Sequence, residues 1–165
     1  MALDSLNELY LDQLRDLYSA EKQLLSALPT MAKRSSHPGL KSGFQQHEAQ
    51  TKTHVQRLDQ IFQQLGQNPS GQTCVGMQGL IKEGEELLKK QSEPDVLDAA
   101  LIAAAQRVEH YEIAGYGCVR TFANLLGHPE QADLLQRTLN EEGGMDHKLT
   151  QLAEAVINAD AMTAA

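Results

Sequence analysis

Apolar residues recur in steps of three and four along almost the whole chain, while alternating and β-branched runs are scarce, so the pattern predicts helices throughout. The first helix opens on Ser5-Leu6-Asn7-Glu8, the spacing of a capping box, and carries the stripe Leu6, Tyr10, Leu14, Leu17, Glu21, Leu24, Leu28 and Met31. Pro29 is expected to kink or end it, because proline removes a helical donor. After a break at Ser35-Ser36-His37, a proline-led start predicts a second helix with Leu40, Phe44, His47, Thr51, His54, Leu58, Ile61 and Leu65 on one stripe. Residues 66–71 are turn-rich, and a short amphipathic helix is expected from about Met77 to Lys90. Ser92-Glu93-Pro94-Asp95 restarts the chain as a third long helix, with Leu97, Leu101, Ala104, Val108, Glu112, Gly115, Val119, Phe122 and Leu126 in register and Gly127 as its stop. Pro129 leads the last helix, which sets Leu135, Thr138, Glu142, Asp146, Leu149, Ala153 and Val156 on one face. Its alanine-rich tail, about 158–165, is expected to fray.

Four long helices in two hairpins, separated by a crossover at about 66–93 that holds an extra short helix, predict an all-α, ferritin-like up-down four-helix bundle. At 165 residues, with no repeat or low-complexity segment, one domain spanning 1–165 is the expectation. The 22 acidic residues exceed the 14 basic ones, and a net charge of -8 disfavours nucleic acid and anionic membrane as partners. Cys74 and Cys118 form no CxxC pair and are too few for a disulfide framework, which fits a reducing, cytoplasmic setting. Met1-Ala2-Leu3-Asp4 carries no basic leader, and no apolar run approaches the roughly 18 residues of a membrane span, so neither secretion nor insertion is expected.

The chemistry lies in acids placed where apolar residues belong. Each long stripe is interrupted near its middle: Glu21 on the first helix, His47 and His54 on the second, with Gln50 four residues before His54, Glu109 and Glu112 on the third, Glu142 and Asp146 on the last. Residues three or four apart project from one side of a helix on successive turns, so these five acids and two histidines can converge. Burying one unpaired carboxylate costs several kcal/mol, and clustering five adds repulsion, so the set needs protons, basic partners or metal. The stripes hold no basic partner, and two divalent cations would cancel most of the charge. Carboxylate and imidazole donors suit iron or manganese rather than a thiolate-seeking metal. The bland alternative is a solvated or dimer-facing polar seam, with His47 a satisfied core histidine. His110 reads as outward, His128 and His147 as cap or surface groups, and Tyr111 and Tyr116 as packing residues that can also pass an electron or proton beside an oxidising metal. The cysteines lie off the acidic faces and read as small packing residues.

The stretches Tyr18-Ser19-Ala20-Glu21-Lys22-Gln23-Leu24, Ala99-Ala100-Leu101-Ile102-Ala103-Ala104-Ala105-Gln106, Val108-Glu109-His110-Tyr111-Glu112-Ile113-Ala114 and Thr138-Leu139-Asn140-Glu141-Glu142, followed by Asp146, resemble the YciE/YciF family along essentially the whole chain. Those are ferritin-like bacterial proteins described as stress-associated and of unknown function. The resemblance implies an extra short helix in the crossover, frequent dimers, and a di-metal centre like that of rubrerythrins. Two departures stand out. Gln50 replaces a glutamate the family usually places just before the threonine of the second helix, putting a neutral amide where a bridging carboxylate is expected. His54 stands where the family commonly has glutamine, offering an imidazole one turn on. Gly143-Gly144 also replaces better helix formers, weakening that turn by about 1–2 kcal/mol and inviting a bulge that re-aims Asp146.

The metal set predicted is therefore Glu21, Gln50, His54, Glu109, Glu112, Glu142 and Asp146, with His47 as a further candidate, around a di-iron or iron-manganese centre. Glu21 and Glu109 are expected as terminal ligands, Glu112 and Glu142 as bridging ones, and His54 and Asp146 as completing the two spheres. The functional expectation is a peroxidase- or ferroxidase-type oxidoreductase, a homodimer needing an external reductant because no rubredoxin-like CxxC module is present. A non-catalytic iron-binding stress protein and a purely structural helical dimer are the alternatives.

Overall fold

In the computed structural model, which describes residues 3–164, Ser5 caps the first helix as its spacing predicts, while Glu8 reaches back one residue beyond it. The Ser5 hydroxyl accepts from the Glu8 N–H at 3.2 Å, and the Glu8 carboxylate accepts from the Asp4 N–H at 2.7 Å. Helix α1 (Leu6–Arg34) follows, and it does not end at Pro29. Pro29 sits on the exposed face, where the carbonyl that loses its donor can turn to water, so the helix continues a further turn. It stops where the Ser35 N–H and hydroxyl both return to the Met31 carbonyl, at 3.0 and 2.8 Å.

Helix α2 (Pro38–Leu65) begins after only three residues, and the buried Asp98 fixes that turn. Its carboxylate accepts from the Ser36 N–H (3.0 Å), the Ser36 hydroxyl (2.6 Å) and the His37 N–H (2.7 Å). Helix α3 (Val75–Lys89) lies in the crossover, α4 (Pro94–Leu125) and α5 (Pro129–Leu152) form the second hairpin, and Gly127 falls just past the end of α4. The bulge that Gly143-Gly144 invites is absent: α5 is regular there, and the loosened turn is a π-helical segment further on, Ala153–Ile157. Helix α6 (Asn158–Thr163) continues through the stretch where composition predicts fraying, anchored by the buried Ile157 and by contact with α4. Met1 and Ala2, from the stretch read for a leader, and Ala165 of the tail lie outside the described residues.

The four long helices pack in a ring, α1 along α2, α4 along α5, α1 against α4 and α2 against α5, while α3 lies over α4 and α1. All described residues are helix, turn or loop, which is the all-helical bundle expected. Gly115 sets the spacing of α1 and α4, because a Cβ there would stand 2.8 Å from Leu17 Cδ2. The apolar interior is in two blocks. One gathers Leu24, Leu28, Leu40, Phe44, Leu101, Val108 and Leu149, the other Tyr10, Leu14, Leu58, Ile61, Tyr116, Val119 and Leu135. Glu21, His47, His54, Glu109, Glu112 and Glu142 fall between these two blocks, so helix packing brings them to one level of the bundle.

Candidate metal centre

Glu21 from α1, His47 and His54 from α2, Glu109 and Glu112 from α4 and Glu142 from α5 meet at this waist, each no more than 1% exposed. Donor atoms of His47, Glu109, Glu112 and Glu142 lie within 4.8 Å of one another, as do those of Glu21, His54 and Glu142. Glu142 belongs to both groups. His54 Nδ1 is 2.9 Å from Glu142 Oε1 and 3.2 Å from Glu21 Oε1, and His47 Nε2 is 3.2 Å from Glu109 Oε1 and 3.9 Å from Glu142 Oε2.

These approaches are short, yet they lack the alignment of hydrogen bonds. Glu21 Oε2, both nitrogens of His47, His54 Nδ1, Glu109 Oε2 and both oxygens of Glu112 and of Glu142 are buried without a hydrogen-bond partner. Orphaned buried polar atoms are rare in folded proteins because each forfeits its hydration without recompense. Nine in one cluster, all carboxylate oxygens or imidazole nitrogens, form a donor set suited to hard-to-borderline divalent metal. The buried His/Glu group can therefore hold metal.

Without metal, the electrostatics are unfavourable to charge. Burial pushes Glu109 up to about 8, with the charges of Glu21 and Asp146 adding to it. Burial, then the charges of Glu21, Glu142 and Glu109, raises Glu112 well above the usual carboxylate range, and burial likewise raises Glu21 and Glu142. Burial lowers His47. It opposes protonation of His54 too, but the Glu142 and Glu21 carboxylates close to Nδ1 outweigh it and hold that imidazole up at about 10. Protons on these groups are what the metal-free interior uses to relieve the repulsion.

The surroundings orient the cluster. Tyr116, fully buried, donates its phenolic O–H to Glu21 Oε1 at 2.5 Å. The far nitrogen of His54, Nε2, lies 2.8 Å from Glu141 Oε2, and Arg57 grips both oxygens of Glu141 at 2.6 and 2.9 Å while donating to Thr138 Oγ1 at 3.0 Å. Fixing one imidazole nitrogen to a carboxylate leaves the other, Nδ1, presented to the cluster.

Two predicted residues are not brought in. Gln50 is half-buried on the outer α2–α5 groove with Gln46, Asn140, Glu141 and Lys148, because it is about 60° around the helix from His47 whereas His54 is only about 20° away. What α2 brings to the cluster is thus the imidazoles of His47 and His54, not the Gln50 amide. Asp146 is half-buried and turned to α4's outer edge, where its Oδ1 takes the Gln106 amide at 3.1 Å and faces His110 Nε2 at 3.3 Å; with α5 regular through Gly143-Gly144, Met145 takes the interior position. His110 is outward, as expected. Glu141 and Arg57 were legible only as charges flanking Glu142 and His54; their adjacency to a buried acid and a buried histidine is the signal that could have singled them out. Cys74 is buried at the start of α3 and Cys118 is exposed, both apart from the cluster.

The sequence profile of DUF892, a domain of unknown function, matches residues 5–162. The chain is 41% identical over 162 residues to Protein YciF of Escherichia coli (strain K12), covering 98% of each. The crystal structure of the E. coli stress protein YciF superposes with a TM-score of 0.90 at 42% identity, over 94% of this chain and 98% of that one. YcfI from Rhodopseudomonas palustris matches with a TM-score of 0.87 at 42% identity, over 90% and 94%. A two-domain protein of Anabaena variabilis with a ferritin-like domain matches at 0.64 and 14% identity, over 94% of this chain and 39% of that one, a likeness of fold.

Proposed function

The chain belongs to the DUF892 family, together with YciF, and from that premise we propose that it is a cytoplasmic, ferritin-like di-metal protein of stress protection, holding two iron ions, or iron and manganese, in its bundle core. The observation that carries this reading is Glu142, whose two unpartnered oxygens belong to both donor groups. Glu109, Glu112 and His47 would hold one ion, Glu21 and His54 the other, and Glu142 would serve both. Such a pair, when bound, supplies a Lewis-acidic and redox-active centre for oxygen or peroxide. The chain's own part is to bury the carboxylates away from water, to steady Glu21 through Tyr116, and to hold His54 in one tautomer through Glu141 and Arg57. An external donor is needed for turnover, and a homodimer is the expected assembly.

The decisive experiment is metal analysis of untagged protein loaded anaerobically with ferrous iron, beside the same protein carrying Glu112→Ala, followed by peroxide and oxygen consumption. About two ions per chain, lost in the variant, with metal-dependent consumption, is the expected result. Two tightly held ions without turnover would turn the reading to sequestration, and no ions would end it.

A further inference from the structure

Outside the cluster, a second set of polar groups converges where α3 meets α1 and α4. Tyr111, the residue before Glu112, donates its phenolic O–H to Asp16 Oδ2 at 2.6 Å, and the Cys74 thiol lies 3.0 Å from that phenol oxygen and 3.1 Å from the same Asp16 oxygen. The arrangement is held firmly. Ser19 Oγ accepts the Cys74 N–H at 2.9 Å and the Gln23 amide donates to the Cys74 carbonyl at 3.0 Å. Gly76 leaves the Tyr111 ring room, since a Cβ there would stand 2.7 Å from Tyr111 Cε2. Cys74 is fully buried, whereas Tyr111 and Asp16 are half-buried and reachable from solvent.

We propose that Tyr111, Cys74 and Asp16 form a redox relay that carries single electrons from a small diffusible reductant to the buried cluster. The inference rests on the metal reading above. With peroxide as the terminal oxidant, Tyr111 would release one electron toward the cluster while its phenolic proton moves along the 2.6 Å bond to Asp16, leaving a neutral tyrosyl radical. Cys74 then passes its thiol hydrogen atom across 3.0 Å to the phenoxyl oxygen, restoring the phenol and leaving a sulfur radical. One electron from the reductant and the proton held by Asp16 restore the thiol, so the cycle moves one electron inward with no net change in the three residues. Tyr116 is less suited to passing electrons inward, because it is fully buried and its proton would pass to Glu21, within the cluster itself.

The test begins with iron stoichiometry, measured on the wild type and on Tyr111→Phe, Asp16→Asn and Cys74→Ala. Iron-loaded protein is then mixed with hydrogen peroxide, frozen and examined by electron paramagnetic resonance, with ring-deuterated tyrosine to assign the signal. The expected result is a tyrosyl radical whose line narrows on deuteration, is lost in Tyr111→Phe, falls in Asp16→Asn, and persists longer in Cys74→Ala. If iron binds and is oxidised but no tyrosyl signal forms, or if the signal survives in Tyr111→Phe and so resides on another tyrosine, the relay is overturned while the centre stands. If iron does not bind the wild type, the relay falls together with the centre.

Discussion

Replacing Glu142 by glutamine tests the cluster most sharply, because the variant keeps the shape of the side chain and removes its charge from both donor groups. Like charges whose oxygens lie within 4.8 Å repel by about 3–4 kcal/mol per pair at an effective dielectric near 20. Much of this is already relieved in the metal-free protein by protons held on the raised carboxylates, and Glu142→Gln also gives up the attraction to His54 at 2.9 Å, so the two effects largely offset one another. Metal-free Glu142→Gln should therefore melt close to the wild-type temperature, unusual for a change at a fully buried site. With metal the two proteins part. A ligand at 100 times its Kd adds about 2.7 kcal/mol per site, and each kcal/mol is worth about 2–4 °C in a domain of this size, so two sites raise the wild-type melting temperature by about 10–20 °C. The variant, lacking the shared ligand, should show little of that shift. Differential scanning calorimetry with and without ferrous or manganous ion gives all four temperatures. A metal-free variant clearly less stable than wild type, or one that retains the full metal shift, would refute the reasoning.

Further outcomes follow from the same geometry. Glu141→Ala frees His54 Nε2 and should weaken metal binding by about 10–100-fold with the number of ions unchanged, measured by calorimetric titration. In metal-free protein, Glu109 at about 8 and His54 at about 10 are held above their unfolded values, so the folded state keeps protons that the unfolded chain has released. Stability present at about pH 5 should thus be lost as pH rises toward about 8, with the lowered His47 opposing this only at the acid end, and thermal melts across that range would show the fall. Asp146→Asn and Gln50→Glu, both outside the cluster, should leave metal content as in wild type by elemental analysis. Gly115→Ala forces a methyl against Leu17 and should destabilise the bundle by about 1–3 kcal/mol in urea unfolding.

The sequence alone determined the four long helices, the hairpins, and the level at which polar residues interrupt each stripe, because helical periodicity and proline or glycine punctuation are local properties. It also singled out Glu21, Glu109, Glu112, Glu142 and His54, since a buried acid or imidazole in a run of leucines is visible without coordinates. It could not choose between neighbours on one stripe. Positions three and four onward along a helix miss the starting direction by about 60° and 40° on opposite sides, and only the placement of the facing helices decides which side is interior. That is why Met145 lies inside and Asp146 at the edge, and why His47 displaces Gln50. Long-range pairings likewise belong to the tertiary structure: Arg57 on Glu141, Tyr116 on Glu21 and Cys74 beside Tyr111 join residues 84, 95 and 37 positions apart, separations at which local pattern carries no information.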